Sequence, residues 1–365
     1  MNIAVDKRNF TVGPVQMPYA VREIGLQQVP YFRTGEFSGL MLENERLLLE
    51  MLYASAGTRV VSLTGSGTAG MEAAVMNTLN NRDKALVVNG GGFGERFVNL
   101  CRLHSIPYEE IRLPFGRGLV EKDLAPYEGE GFTTFLVNYH ETSTGVLYDM
   151  RLISNFCERN GCFLVVDAIS SFLADPFYMG EWGVNVVVTG SQKAYAIPPG
   201  LSLVALDGIA QERVMRNTCR SMYFDFKAYL KDGERGQTPF TPAVGTLIQL
   251  NKRLLDIAEA GMESVLRRTA MLAGHFRKAI EAAGLPLTIA SDSLSNAVTP
   301  LFVREGKDAY EVFKCLEREH GIWVCPNGGE LKHKLFRVGH LGDLTEDDNN
   351  ALVDALGQLY QAGKL

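Results

Sequence analysis

The chain has no long apolar run. Nowhere in its 365 residues does it approach the roughly 20 consecutive apolar residues that cross a bilayer. Its opening, MNIAVDKRNFTVGP, also lacks an apolar stretch of signal-peptide length, so the expectation is a cytoplasmic protein with no membrane partner. Charge of one sign is scarce: 36 Lys and Arg against 42 Asp and Glu leave a formal net charge of -6, without the basic surface that nucleic acid binding requires. The six cysteines, at positions 101, 157, 162, 219, 315 and 325, include no CxxC pair and no His/Cys cluster at zinc spacing, which points to free thiols and no metal site. Repeats and low-complexity tracts are absent too. What remains is an ordinary globular composition, 46% apolar and 21% charged, on a chain long enough for roughly two or three domains and a substantial core.

Between Arg59 and Asp207 short apolar runs alternate with helical patterns. The runs are RVVSLT, ALVVNG, FTTFLVNY, CFLVVDA, VNVVVTG and LSLVALD, separated by amphipathic segments such as MRLISNFCERNG. That alternation predicts a doubly wound α/β domain with a mostly parallel sheet and crossover helices. Helical spacing in GTLIQLNKRLLDIAEAG and MESVLRRTAMLAGHFRKAIEAAG predicts connecting helices. Beyond Leu285 the segments read as strand, helix, strands and helix, a small C-terminal α+β domain. The expected division is 1–245 for the N-terminal segment and large domain, 246–284 for the connecting helices and 285–365 for the small domain.

One segment raises a specific question. LTGSGTAGMEA carries Gly65, Gly67 and Gly70 in GxGxxG spacing between a strand and a helix. A dinucleotide site also needs an acidic residue about 20 residues on, at the end of the next strand, to hold the ribose. Here that strand ends in Asn89 and Gly90, which disfavours a nicotinamide dehydrogenase. A glycine-rich turn feeding a helix N-terminus still suits an anion through free N–H groups and the helix dipole, with Ser66 and Thr68 as hydroxyl donors. A tight turn with no ligand is the plainer alternative.

Ligands of open α/β sheets collect beyond the carboxyl ends of the strands. There the sequence offers Asp167 after FLVVD, Lys193 after VVVTGSQ, Phe93 after ALVVNGGG, and Glu141 with Thr142 after FLVNYH. Singly, each has an ordinary reading: an Asp caps a helix, a Lys is solvated, an aromatic packs in the core. Together they match one cofactor, pyridoxal 5'-phosphate (PLP). Its chemistry needs a lysine for a Schiff base, a carboxylate facing the pyridine nitrogen, an anion site and a flat face for the ring. Lys193, Asp167, the Ser66–Gly67–Thr68 turn and Phe93 supply these in turn.

The motifs FTVGPV, SGTAGMEAA, NGGGFGERF, HETSTGVLYD, VDAISSF, SQKAYAIPPG, FTPAV and RVGHLGD resemble, in this order, those of the class V aminotransferases of PLP fold type I. The branch they resemble holds the alanine–glyoxylate, serine–pyruvate and 2-aminoethylphosphonate–pyruvate transaminases. The resemblance runs from about Phe10 to Asp343. It implies Lys193 as the Schiff-base lysine, Asp167 as the pyridinium partner, Phe93 as the stacking residue, Thr142 beside the ring's 3'-oxygen, and Ser66, Gly67, Thr68 and Gln192 around the phosphate. It further implies that Thr241 reaches the phosphate of the opposite subunit in a homodimer with shared sites. By the same resemblance Arg337 clamps the substrate carboxylate and the Gly13–Pro14 turn lines the substrate entrance. The implied activity moves an amino group from 2-aminoethylphosphonate, alanine or serine to a 2-oxo acid such as pyruvate or glyoxylate. A PLP lyase or cysteine desulfurase is the alternative on the same fold.

The chain departs from that family where Tyr139 replaces a common His, Phe93 a Trp or Tyr, and Val12 and Ala243 prolines. These changes bear on the substrate rather than the cofactor, and Tyr139 is expected to alter contacts near the cofactor. Arg33, in YFRTGEF, offers a second anion contact for a phosphonate or distal carboxylate, with a solvated surface position as its alternative. Cys325, in IWVCPNGG, is the thiol a desulfurase would use, and its place at a strand end predicts a structural role. The complete set of Lys193, Asp167 and Arg337 disfavours a non-catalytic PLP-binding protein.

Overall fold

The computed structural model describes residues 7–365. In chain order the strands are β1 (Arg8–Phe10), β2 (Arg59–Thr64), β3 (Ala85–Asn89), β4 (Tyr108–Arg112), β5 (Thr134–Asn138), a hairpin of β6 (His140–Glu141) and β7 (Val146–Leu147), β8 (Phe163–Asp167), β9 (Val186–Gly190) and β10 (Leu201–Leu206). They are followed by β11 (Leu287–Ile289), β12 (Val298–Val303), β13 (Ile322–Pro326) and β14 (Leu335–Gly339).

The large sheet has seven strands in the order β2-β10-β9-β8-β5-β3-β4. Its strands run parallel except β10, which is antiparallel to both neighbours. Every residue of β3, β5, β8, β9 and β10 is buried, which is why these strands read as unbroken apolar runs: helices cover both faces. Alternate side chains divide between the two layers, Leu86 and Val88 into one core and Ala85 and Val87 into the other. The edge strand β4, YEEIR, buries only Ile111, and its charged alternation carries no apolar run. The ends of β2, β3, β5, β8 and β9 therefore leave the sheet on one side, bringing the candidate residues to a common rim.

The second sheet has five strands in the order β1-β13-β14-β12-β11. β1 pairs parallel with β13, Phe10 opposite Val324, so the described N-terminal segment joins the small sheet rather than the large one with which the sequence grouped it. Three residues with one buried aromatic gave too short a pattern to assign. Helices Met262–Ala282, Ala309–His320 and Glu346–Gln361 cover this sheet through Leu272, Phe276, Val312, Leu316, Leu352 and Leu356. Helix Val244–Ala260 packs instead on the large unit, where Asn44 Nδ2 donates to the Leu247 carbonyl at 3.2 Å. Between the sheets Asp175 accepts from Ser295 Oγ at 2.5 Å and from the Asn296 N–H at 2.9 Å, and burial pushes its carboxyl up to about 6. No helix among the described residues is long and apolar enough to cross a membrane.

The glycine spacing of residues 65–70 has a packing cause. A Cβ on Gly70 would stand 1.9 Å from Ser202 Oγ and 2.9 Å from Val188 Cγ1, and one on Gly67 would stand 2.4 Å from Ile169 Cδ1. Helix Gly67–Thr78 can lie on β9 and β10 only if these side chains are missing. Gly70→Ala is expected to lower the unfolding free energy by about 1–3 kcal/mol through overpacking, read as a lower urea midpoint. Ser202→Gly in the same chain should recover part of the loss; equal midpoints for Gly70→Ala and the unaltered protein would show that the helix does not need the gap.

Candidate active site

Lys193 follows β9 and is 7% exposed. Its Nζ donates to the backbone carbonyl of Val12, contributed by the turn that follows β1. Gly13, with φ 131°, lies against the same side chain, since a Cβ there would sit 2.8 Å from Lys193 Cδ. The Gly13–Pro14 turn, expected at the substrate entrance, thus packs directly on the lysine. Burial is the main cause that pushes the Lys193 amine down to about 8; Arg337 and Arg96 push the same way, while Cys325 and Asp167 oppose them. These residues, far apart in sequence, share one electrostatic neighbourhood.

Asp167 ends β8 and is also buried. Burial raises its carboxyl to about 6, against the Ile169 N–H, which donates to Oδ1 at 2.8 Å, and the charges of Arg96 and Lys193. At neutral pH it is an anion. Ser66 stands at the N-cap of helix Gly67–Thr78 without using its side chain as a cap, which leaves its hydroxyl and the first-turn N–H groups available to an anion. Gln192 Oε1 is buried with no hydrogen-bond partner. Arg96 Nη1 donates to Thr68 Oγ1 at 2.8 Å, and its guanidinium lies 4.7 Å from the centre of the Phe93 ring. The sequence reading passed over Arg96, yet its i, i+3 relation to Phe93 on a helix was a usable signal.

Glu141 is fully buried and structural. Its carboxylate accepts from the N–H groups of Phe93 and Gly94 at 3.0 and 2.9 Å, from Asn138 Nδ2 at 3.1 Å and from Ser143 Oγ at 2.5 Å. It pins the N-terminus of helix Gly94–Leu103, and with it Phe93 and Arg96. Beside it, Thr142 Oγ1 lies 2.7 Å from Ser170 Oγ, which lies 2.9 Å from His140 Nδ1. Complete burial holds His140 neutral by pushing its pKa down to about 3. Tyr139, expected near the cofactor, points away from it. Its hydroxyl donates to the Pro176 carbonyl at 3.0 Å within an aromatic cluster with Phe177 and Trp182.

Arg337 reaches the rim from β14 and is 9% exposed. Its Nη1 donates to the Thr142 carbonyl at 3.1 Å, its Nη2 to the Pro326 carbonyl at 2.9 Å and to Cys325 Sγ at 3.1 Å, and its Nε has no partner. Cys325, expected as a structural thiol, is half-buried at the end of β13, packs on the apolar cluster that contains Val12 and Ala196, and stands directly opposite Arg337 in the β13/β14 register. Thr241 is exposed. Arg33 makes its hydrogen bonds elsewhere, to Gln237 Oε1 at 3.1 Å and the Thr238 carbonyl at 2.9 Å.

The family description aminotransferase class-V matches residues 36–333, and the chain belongs to that family. It is 30% identical to the L-aspartate–glyoxylate aminotransferase of Paracoccus denitrificans over 92% of this chain and 87% of that protein. It is likewise 32% identical to the soluble hydrogenase small subunit of Synechococcus sp., over 94% of this chain and 90% of that one. The alanine–glyoxylate aminotransferase of Nostoc sp. shares its fold with a TM-score of 0.92 at 25% identity, covering 99% of this chain and 97% of that structure. The protein is a PLP-dependent aminotransferase of fold type I.

The residues present fit that cofactor. An uncommitted Ser66 hydroxyl and the free N–H groups of a helix N-terminus can take a phosphate, and a buried amine and a buried carboxylate lie beyond them. An amine attacks an aldehyde only when unprotonated. Uptake of PLP by the cofactor-stripped protein is expected to quicken about tenfold per pH unit up to about 8 and then level off, measured by stopped-flow absorbance. A rise that continues beyond about pH 9.5 would mean that Lys193 titrates like an ordinary lysine.

Proposed function

We propose that this aminotransferase moves the amino group of a small α-amino acid, such as alanine or serine, to glyoxylate or pyruvate. One observation carries the reading: a buried guanidinium, Arg337, stands in the same charged neighbourhood as Lys193 with only neutral partners and a buried, unpartnered Nε. A carboxylate there gains a bidentate, charge-assisted contact and relieves an uncompensated buried charge. 2-Aminoethylphosphonate, weighed from the sequence, has no α-carboxylate to offer it. The glyoxylate-using relatives support the acceptor.

In this reading Ser66, the Gly67 N–H, Thr68 and Gln192 hold the cofactor phosphate, Phe93 supports the ring, Thr142 faces its 3'-oxygen and Asp167 keeps the proton on its pyridine nitrogen. Bound there, PLP supplies an electron-withdrawing ring that takes up the electrons left when a Cα–H bond breaks. Arg337 orients the substrate so that its Cα–H faces Lys193. Neutral Lys193 Nζ takes that proton and returns it in the reverse half-reaction. Gly13 and Val12 limit the paths open to the lysine side chain. We further propose a homodimer in the cytoplasm, in which exposed Thr241 and Arg33 face the partner subunit. Exposed Tyr19, Leu26, Val29 and Tyr31 are apolar surface that a second copy would cover. The named aminotransferase relatives favour transamination over a lyase or desulfurase role for Cys325.

Arg337→Ala is expected to lower kcat/KM for glyoxylate or pyruvate about 30-fold or more, while bound PLP is retained. With an α-amino acid donor both half-reactions fall together. If only the 2-oxo acid half-reaction falls, the donor lacks an α-carboxylate and the aminophosphonate reading returns.

A further inference from the structure

The guanidinium of Arg337 offers two edges. Its Nε and Nη2 form the side-on edge that receives a carboxylate in a bidentate pair. In this protein Nε is buried and unpartnered, and Nη2 is shared between the Pro326 carbonyl and Cys325 Sγ at 3.1 Å. Register fixes that neighbour: Cys325 of β13 is the Cα partner of Arg337 of β14. Cys325 is also half-buried rather than sealed in the core, and it packs on the apolar cluster that contains Val12, whose carbonyl accepts from Lys193 Nζ. So a thiol stands against the edge where a substrate carboxylate would bind, on the side toward the reacting lysine.

We propose that Cys325 is a carboxylate-addressed modification site: small acids with an electrophilic carbon one or two bonds from the carboxylate seat on Arg337 and alkylate the Cys325 sulfur. The inference rests on the reading of Arg337 as the carboxylate clamp. In the reaction the Sγ–C bond forms as the carbon–halogen bond breaks. The halide leaves with the bonding electrons and the thiol proton passes to solvent. The product places a carboxymethyl group on the side-on edge of Arg337 and excludes the substrate. The other cysteines lack this address. Cys101, Cys157 and Cys315 are buried, Cys315 although Arg318 Nη2 lies 3.8 Å from its sulfur, and Cys162 and Cys219 contact no guanidinium among the described residues.

The test compares iodoacetate with iodoacetamide on the unaltered holoenzyme, with the labelled cysteine located by peptide mass spectrometry. At an unaddressed thiol the neutral reagent reacts at least as fast, because a thiolate repels a carboxylate. Here iodoacetate is expected to label Cys325 about tenfold or more faster than iodoacetamide, and glyoxylate or pyruvate to slow that labelling. Arg337→Gln should remove the preference for iodoacetate, and Cys325→Ser should remove the labelled peptide. Equal or reversed rates on the unaltered protein overturn the proposal without any variant. A preference that persists in Arg337→Gln also overturns it. If the protein labels as expected but transaminates no small amino acid, the address stands and the proposed substrates fall.

Discussion

The cleft depends on keeping its buried charges apart. Lys193, Asp167, Glu141 and Arg337 are each at most 9% exposed, and none of them forms an ion pair with another charged side chain among the described residues. Each rests on neutral groups: Lys193 on the Val12 carbonyl, Asp167 on the Ile169 N–H, Glu141 on amides and a hydroxyl, Arg337 on two carbonyls and a thiol. Such an arrangement is costly. An Asp held near 6 instead of 3.8 has lost about 3 kcal/mol of carboxylate stabilisation. Direct pairing of Lys193 with Asp167 would remove much of that cost, and would leave neither group free for a charged ligand. The neutral partners hold the charges without using them up.

That constraint explains why two sheets are needed. The large sheet delivers Lys193 and Asp167 from the ends of adjacent strands β9 and β8, but the carbonyl that accepts the hydrogen bond of Lys193 comes from the segment after β1, which belongs to the small sheet. Arg337 likewise belongs to the small sheet and donates to the Thr142 carbonyl of the large unit. Asp175 with Ser295 and Asn296 ties the two units beside this junction. The small unit thus sets both the rest position of the lysine and the seat of the proposed substrate carboxylate.

The sequence revealed most where burial is complete on both faces. β3, β5, β8, β9 and β10 are continuous apolar runs because no position along them faces water, and the residues after them fall at the rim by topology alone. β4 and β1 escaped because edge pairing needs backbone groups rather than apolar side chains. The placement of Cys325 against Arg337 was also beyond reach, since it arises from antiparallel register between strands that are separated by a loop of no fixed length rule. Tyr139 was misjudged by one position: in a short strand neighbouring side chains point to opposite faces, so Tyr139 enters the aromatic core and His140 turns toward the site. Arg96 needed only the helical spacing from Phe93.

His140 settles the direction of a hydrogen-bond chain. Being neutral, it carries one ring proton, and its Nε2 is buried without a partner. An unmatched acceptor nitrogen is less costly there than an unmatched N–H, which assigns the proton to Nδ1 and makes it the donor to Ser170 Oγ at 2.9 Å. Ser170 then has two acceptors for its own proton, Thr142 Oγ1 at 2.7 Å and the His140 carbonyl at 3.4 Å, and the shorter contact favours Thr142. Thr142, having accepted, is left with its hydroxyl proton for the cleft. A donor at this position is what the proposed contact of Thr142 with the cofactor's 3'-oxygen requires. Because His140 gains its second proton only near pH 3, that polarity holds across the range in which Asp167 and Lys193 change charge.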